Sequence, residues 1–208
     1  MVDKKLDILQ LFGHGRSHND FSSVNASGEP VPWFVYPAFE FLECFDLSQS
    51  TVFEWGSGNS TRYWAKRCRE VVSVDDKKEW SSSVSCIENV TAIHVDIDRY
   101  ADCIFDYEMS DLIVIDGIRR YACAQNAVQR LKPGGMIVLD NSDWYDAACL
   151  TLSEKPHLIQ IDFSGFGPIN NYCWTTSVFL QRDFSMKRKQ PTIPRPVGGL
   201  LTSLTRDA

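Results

Sequence analysis

Residues 52–61 read VFEWGSGNST. A short apolar run carrying one carboxylate, Glu54, meets a turn spaced by Gly56 and Gly58. The next run, STRYWAKRCRE (60–70), has helical character, with Ser60 near its N-cap. A strand, a glycine turn and a helix in that order open an α/β unit of the kind that binds nucleotide-like ligands.

The rest of the chain continues the alternation. EVVSVD (70–75), TAIHVD (91–96), DLIVID (111–116) and MIVLD (136–140) are short apolar runs in the style of buried parallel strands. Helical patterns separate them at KKEWSSSVSCIEN (77–89) and RRYACAQNAVQRL (119–131), the second stopped by Lys132-Pro133-Gly134-Gly135. HLIQIDF (157–163) and WTTSVFL (174–180) are two late strands joined by SGFGPINNYC, too short and too irregular for a crossover helix, so they pair antiparallel. The pattern predicts a doubly wound, mostly parallel seven-stranded α/β sheet with an antiparallel last strand. Three parts follow: an N-terminal helical or lid segment over 1–48, the ligand-binding domain over 49–182, and an extended tail over 183–208. In the first part a short helix is expected near 3–11, then a loop. A second helix is expected from Pro37 to Phe45 in PVPWFVYPAFEFLECF (30–45).

The chain has 208 residues, enough for one domain with a sizeable core, and 44% hydrophobic against 23% charged residues is a globular balance. A net charge of −6 argues against a nucleic-acid or anionic-membrane binder. The start, MVDKKLDILQLF, does not read as a signal peptide, and no apolar run approaches the roughly 18 residues that span a bilayer. Seven cysteines without a CxxC pair are expected to stay reduced, so the reading is cytoplasmic. The oligomeric state is not legible, which leaves room for a homo-oligomer.

Ligands of such sheets bind at the carboxyl ends of the strands. A dinucleotide fingerprint would place a third glycine at 61, where Thr61 stands. A carboxylate at the mouth of the glycine turn would repel a pyrophosphate and attract a cation. S-adenosylmethionine carries a sulfonium and an α-ammonium and has no phosphate. Asp75 at the end of the second strand suits two ribose hydroxyls. Asp96 ends the third strand and is a candidate for the adenine amino group, and Asp116 ends the fourth and faces the same crevice. Each has a plainer reading, as a helix cap or a solvated acid.

VFEWGSGNST, VVSVD, DLIVIDG and LKPGGMIVLDN resemble the ordered motifs of class I S-adenosylmethionine-dependent methyltransferases over roughly residues 50–180. EPVPWFVYPAFEFLE and IDFSGFGPINNYCWTTSVF are similar to a bacterial branch of that superfamily. The resemblance implies the Rossmann-like methyltransferase fold, with Glu54, Gly56, Ser57 and Gly58 around the methionine part, Asp75 on the ribose and Asp116 near the methyl group; Ser60 is a further cofactor-binding candidate. It implies methyl transfer to a small-molecule acceptor, with O-methylation expected and S-adenosylhomocysteine as product. The alternatives are a non-catalytic cofactor-binding partner subunit and aminopropyl-type transfer.

Asp116, Asp140 and Asn141 end two adjacent strands and offer three oxygens to Mg²⁺. That trio resembles the metal site of catechol-type O-methyltransferases. The lysine base expected three residues after the first acid is replaced by Arg119, a poor base. Arg119 and Arg120 are candidates to clamp an anionic substrate group. His14 and His18, in the lid segment, are candidate bases, and Trp33, Tyr36, Trp144 and Tyr145 are candidates for an acceptor wall. The catalytic expectation is therefore Asp116, Arg119 and His14.

Overall fold

Each expected strand is present, one stopping short at His94 and one starting early at Leu131, and the alternation of side chains decides what each face buries. The structure is a computed structural model and describes residues 8–199. The expected helix near 3–11 falls partly, and the end of the tail wholly, outside those residues. The strands are β1 (Thr51–Trp55), β2 (Glu70–Asp75), β3 (Val90–His94), β4 (Ser110–Ile115), β5 (Leu131–Leu139), β6 (Leu158–Gly165) and β7 (Trp174–Gln181). They form one sheet in the order β3-β2-β1-β4-β5-β7-β6. The first five run parallel, and β7 is antiparallel to both β5 and β6. The doubly wound expectation and its antiparallel late strand hold.

The helices are α1 (Ile8–Phe12), α2 (His14–Asp20), α3 (Tyr36–Glu43), α4 (Asn59–Ala65), α5 (Lys78–Val84), α6 (Arg120–Arg130) and α7 (Asp146–Ser153), with a 3₁₀ turn over Asp102–Asp106. The polar run HGRSHND was read as loop and is α2, preceded by Gly13 in the left-handed region. Helix α7 is eight residues long with no side-chain cap, too weak a local signal to find by pattern. Lys132-Pro133-Gly134-Gly135 is not a turn: β5 starts directly at Leu131.

Successive residues of a strand face opposite sides. Phe53, Trp55, Ile113, Ile115, Ile137 and Leu139 bury one face against α6, α7 and the Tyr100–Ile104 region. Val52, Leu112, Val114, Met136 and Val138 bury the other against Phe34, Leu42, Tyr63 and Trp64, from α3, α4 and the segment before them. Trp55 and Trp64 are fully buried, one in each layer. Truncating either to alanine costs about 3–5 kcal/mol. Trp55 keeps its indole N–H satisfied on Tyr100 O at 2.8 Å.

The tail runs along the surface of the N-terminal part. Asp46 N donates to Lys187 O at 2.8 Å and Lys189 N to Cys44 O at 2.9 Å, while Lys189 Nζ reaches Glu43 Oε2 at 3.0 Å. The described cysteines are all free. Among the described residues no helix is long and apolar enough to cross a membrane.

Candidate functional site

The chain winds outward from β1 to β3 and then returns to place β4 on the other side of β1. That reversal opens a crevice at the carboxyl ends of β1 and β4, and a cleft of about 700 Å³ lies there. Its floor is the Gly56–Ser60 turn, Asp75 and Asp76 at the end of β2, the Asp116–Ile118 turn, and Asp140 and Asn141 after β5. Its rim comes from the 21–33 segment, Trp80, Trp144 and the 169–174 stretch.

Gly56 is needed at the crossing point. Its φ is 106°, and a Cβ there would lie 2.8 Å from Asp116 O. The turn's amides are engaged internally. Gly56 N donates to Val74 O at 2.8 Å, Ser57 N to Asp75 Oδ2 at 2.8 Å, and Gly58 N to Thr61 Oγ1 at 3.0 Å. Three successive N–H groups that would cradle a phosphate therefore have protein partners already.

Glu54 is not at the rim. It shares the parity of Val52, so its side chain enters the layer beneath α4 and does not line the cleft. It is fully buried, and Oε2 accepts from Thr61 Oγ1 and from Ser73 Oγ at 3.0 Å, while Oε1 has no partner. Burial pushes its carboxyl up to about 8, against the pull of hydroxyls from Thr61, Ser60 and Ser73. Ser60, near this buried acid in the chain, lines the cleft. Asp75 does line the cleft. Its two oxygens accept from Ser57 N and Lys77 N, at 2.8 and 2.9 Å, and burial raises its carboxyl against those bonds. Asp96 is a second correction: β3 ends at His94, and Asp96 is exposed in the following turn, outside the cleft.

Arg120, not Arg119, enters the site. Arg119 sits at φ 51° before α6 and is exposed, away from the cleft. Arg120 is buried and donates Nε to Gly117 O at 2.8 Å, Nη1 to Asp140 O and to Asn141 Oδ1 at 2.9 Å, and Nη2 to Asp116 Oδ1 at 3.1 Å. Its guanidinium lies 4.4 Å from the Tyr145 ring centre. Burial lifts the Asp116 carboxyl to about 6 against the opposing pull of the Arg120 charge.

The oxygens expected to hold Mg²⁺ do not fit it. Asp116 Oδ1 and Asn141 Oδ1 both accept from Arg120, whose fixed positive charge lies where the ion would. Asp140 turns Oδ1 away, to Trp174 Nε1 at 3.0 Å and Thr176 Oγ1. Burial and the Asp116 charge raise the Asp140 carboxyl well above its usual range. A divalent ion needs several free, convergent oxygens, and these are engaged or diverged.

His14 lies outside the cleft. Its Nδ1 donates to Gly167 O at 3.0 Å and its Nε2 faces Asn171 Oδ1 at 3.4 Å. One turn on, His18 Nδ1 donates to Ile169 O at 2.7 Å. The pair ties α2 to the 165–172 loop and is not aimed at a reacting group. Of the expected wall, Trp33 and Trp144 line the cleft, Tyr145 covers Arg120, and Tyr36 faces a separate small cavity. Phe21, Trp80, Tyr172 and Trp174 line it too, and no local pattern singled out Phe21, Trp80 or Trp174.

Backbone strain gathers here too. The positive-φ non-glycine residues among those described are Phe21 (46°), Arg119 (51°), Asn141 (52°) and Ile169 (68°). Phe21, Asn141 and Ile169 line the cleft, and Arg119 directly precedes Arg120. Such conformations persist where surroundings enforce them, and they cluster at ligand clamps.

No family model matches the sequence, and no curated protein matches it. Solved structures match its shape. The O-methyltransferase from Bacillus cereus in complex with SAH is 16% identical with a TM-score of 0.60, over 87% of this chain and 94% of that one. The chain has the Rossmann-like methyltransferase fold. The O-methyltransferase TomG from Streptomyces achromogenes, in complex with SAM, superposes on this fold with a TM-score of 0.57 at 14% identity, covering 87% of this chain and 92% of that one. An rRNA methylase from Streptococcus thermophilus shares it at a TM-score of 0.52 and 17% identity, covering 68% of this chain and 92% of that one. Acceptors as different as these on one methyltransferase fold mean that the fold does not choose the acceptor.

Proposed function

We propose that the protein is an S-adenosylmethionine-dependent methyltransferase acting on an oxygen of a small-molecule acceptor without a metal ion. The observation that carries this reading is the glycine turn at the β1–β4 crevice whose amides are engaged by Asp75 and Thr61 rather than free for a phosphate.

The chemistry of the donor set fits the nucleoside. Ser57 and Ser60 line the cleft beside the glycine turn, and their hydroxyls have acceptor lone pairs for an ammonium group. Asp75 and Asp76 offer further acceptor lone pairs for ribose hydroxyls at the end of β2. Bound there, the nucleoside supplies an electrophilic methyl carbon on a sulfonium, and its leaving group is a neutral thioether.

Asp116 is the group on the cleft floor suited to take the acceptor's hydroxyl proton. A carboxyl near pH 6 is half ionised there and mostly ionised at neutral pH, a useful range for a general base. Arg120 fixes its orientation through Oδ1 and leaves Oδ2 for the acceptor. The rest of the acceleration comes from holding the acceptor oxygen close and in line.

The test is calorimetry with S-adenosylhomocysteine, followed by transfer of a labelled methyl group to a panel of hydroxyl acceptors. Micromolar binding and label transfer are expected; absence of S-adenosylhomocysteine binding overturns the reading.

A further inference from the structure

The rim of the cleft is aromatic and open to water. Phe21 is 75% exposed, Trp144 54% and Tyr172 50%. Phe21 meets Trp33 edge-on, with ring centres 6.1 Å apart, and Trp144 lies 5.9 Å from Tyr172. The two pairs come from segments far apart in the chain and line one cleft. Large apolar side chains left in water at the mouth of a pocket mark a surface that a ligand covers. Phe21 is held there at φ 46°, a conformation a phenylalanine adopts only under constraint.

The charges near these rings exclude an anion. Arg120 has four of its five N–H groups engaged by Gly117, Asp140, Asn141 and Asp116, too few free donors for a bidentate grip. Its face is covered by Tyr145. Arg119 is outside the cleft, and Lys77 stands beside Asp75 and Asp76 at the far strand end. Asp116 and Arg120 offset each other on the cleft floor and Lys77 stands among Asp75 and Asp76, so a carboxylate or phosphate on the acceptor would find no uncommitted cation beside the rings.

We infer that the acceptor is a small aromatic molecule without a carboxylate or phosphate, its ring seated on the Phe21–Trp33 and Trp144–Tyr172 pairs. Calling this molecule the acceptor rests on the methyl-transfer reading above; the ring-binding surface does not.

The experiment is calorimetry of the full chain, with and without saturating S-adenosylhomocysteine, using 2-naphthol, 2-naphthoate and decahydro-2-naphthol as probes. 2-Naphthol is expected to bind about tenfold more tightly than either of the others. Phe21→Ala and Trp144→Ala, both at exposed positions, are expected to weaken it about tenfold while S-adenosylhomocysteine affinity stays unchanged. Naphthoate or the saturated alcohol binding as tightly as naphthol overturns the inference, as does no naphthol binding or unchanged binding in both variants. Naphthol binding to a protein that does not take S-adenosylhomocysteine would keep the aromatic surface and discard the methyl-transfer reading.

Discussion

Arg120 donates Nη2 to Asp116 Oδ1 at 3.1 Å across the turn between β4 and α6, and the same guanidinium holds the Asp140 carbonyl and the Asn141 side chain. One buried cation thus ties the carboxyl ends of β4 and β5 together and lies among the oxygens a metal would need. Activity is therefore expected to be indifferent to EDTA and to added Mg²⁺; loss with chelator and recovery with Mg²⁺ would return the metal to the mechanism.

Removing Arg120 leaves its oxygen partners without donors in a site where its side chain is 8% exposed. Breaking a buried pair from one side is costly, and Arg120→Met is expected to lower stability by about 3 kcal/mol in urea denaturation. A loss under 1 kcal/mol would mean that water replaces the guanidinium readily.

Asp116 sets the expected pH profile. With its carboxyl lifted by burial to about 6, kcat/KM should rise through about pH 6 and level off above it, as the base ionises. Asp116→Asn should lose about 10²-fold or more in kcat/KM. Arg120→Lys keeps a positive charge but relaxes the fixed geometry, and should move the profile's midpoint upward as the counter-charge weakens. A flat profile from pH 5 to 8 in the wild type removes Asp116 as the base.

Glu54 makes stability depend on pH. Its carboxyl is about 8 in the fold against 4.5 ordinarily, so the folded protein holds a proton that the unfolded chain has released. The resulting stability is fully present below about pH 4.5 and is lost as pH rises through about 8. Glu54→Gln should flatten this dependence, with a Tm higher than wild type by on the order of 5 °C at pH 9 and a smaller difference at pH 6. Equal pH slopes for the two proteins would show that the acid is ionised in the fold.

Gly56→Ala tests the crossing point. A methyl group there meets the Asp116 carbonyl at a φ of 106°. The variant is expected to lose at least about 2 kcal/mol and to bind S-adenosylhomocysteine more weakly, read by denaturation and calorimetry.

Much of this was legible in the residues. Apolar runs of strand length, alternating with helical patterns, determined the doubly wound sheet, because burial on both faces demands such runs. The glycine turn after β1 and the acid after β2 marked the cleft, since both follow from where a strand ends. Short elements escaped: α2 and α7 carry neither strong periodicity nor side-chain caps.

Only the tertiary structure decided which way the polar side chains point. Glu54 looked like a rim acid, yet strand parity sends it beneath α4. Arg119 and Arg120 are adjacent in sequence, and the left-handed turn before α6 sends one to solvent and the other into the site. Asp140 and Asn141 looked like metal ligands, but Trp174, Thr176 and Arg120 reach them from distant segments. Backbone patterning depends on local periodicity, so the sequence carries it; the partners of a buried charge depend on long-range packing, which becomes determinate only when the sheet has formed.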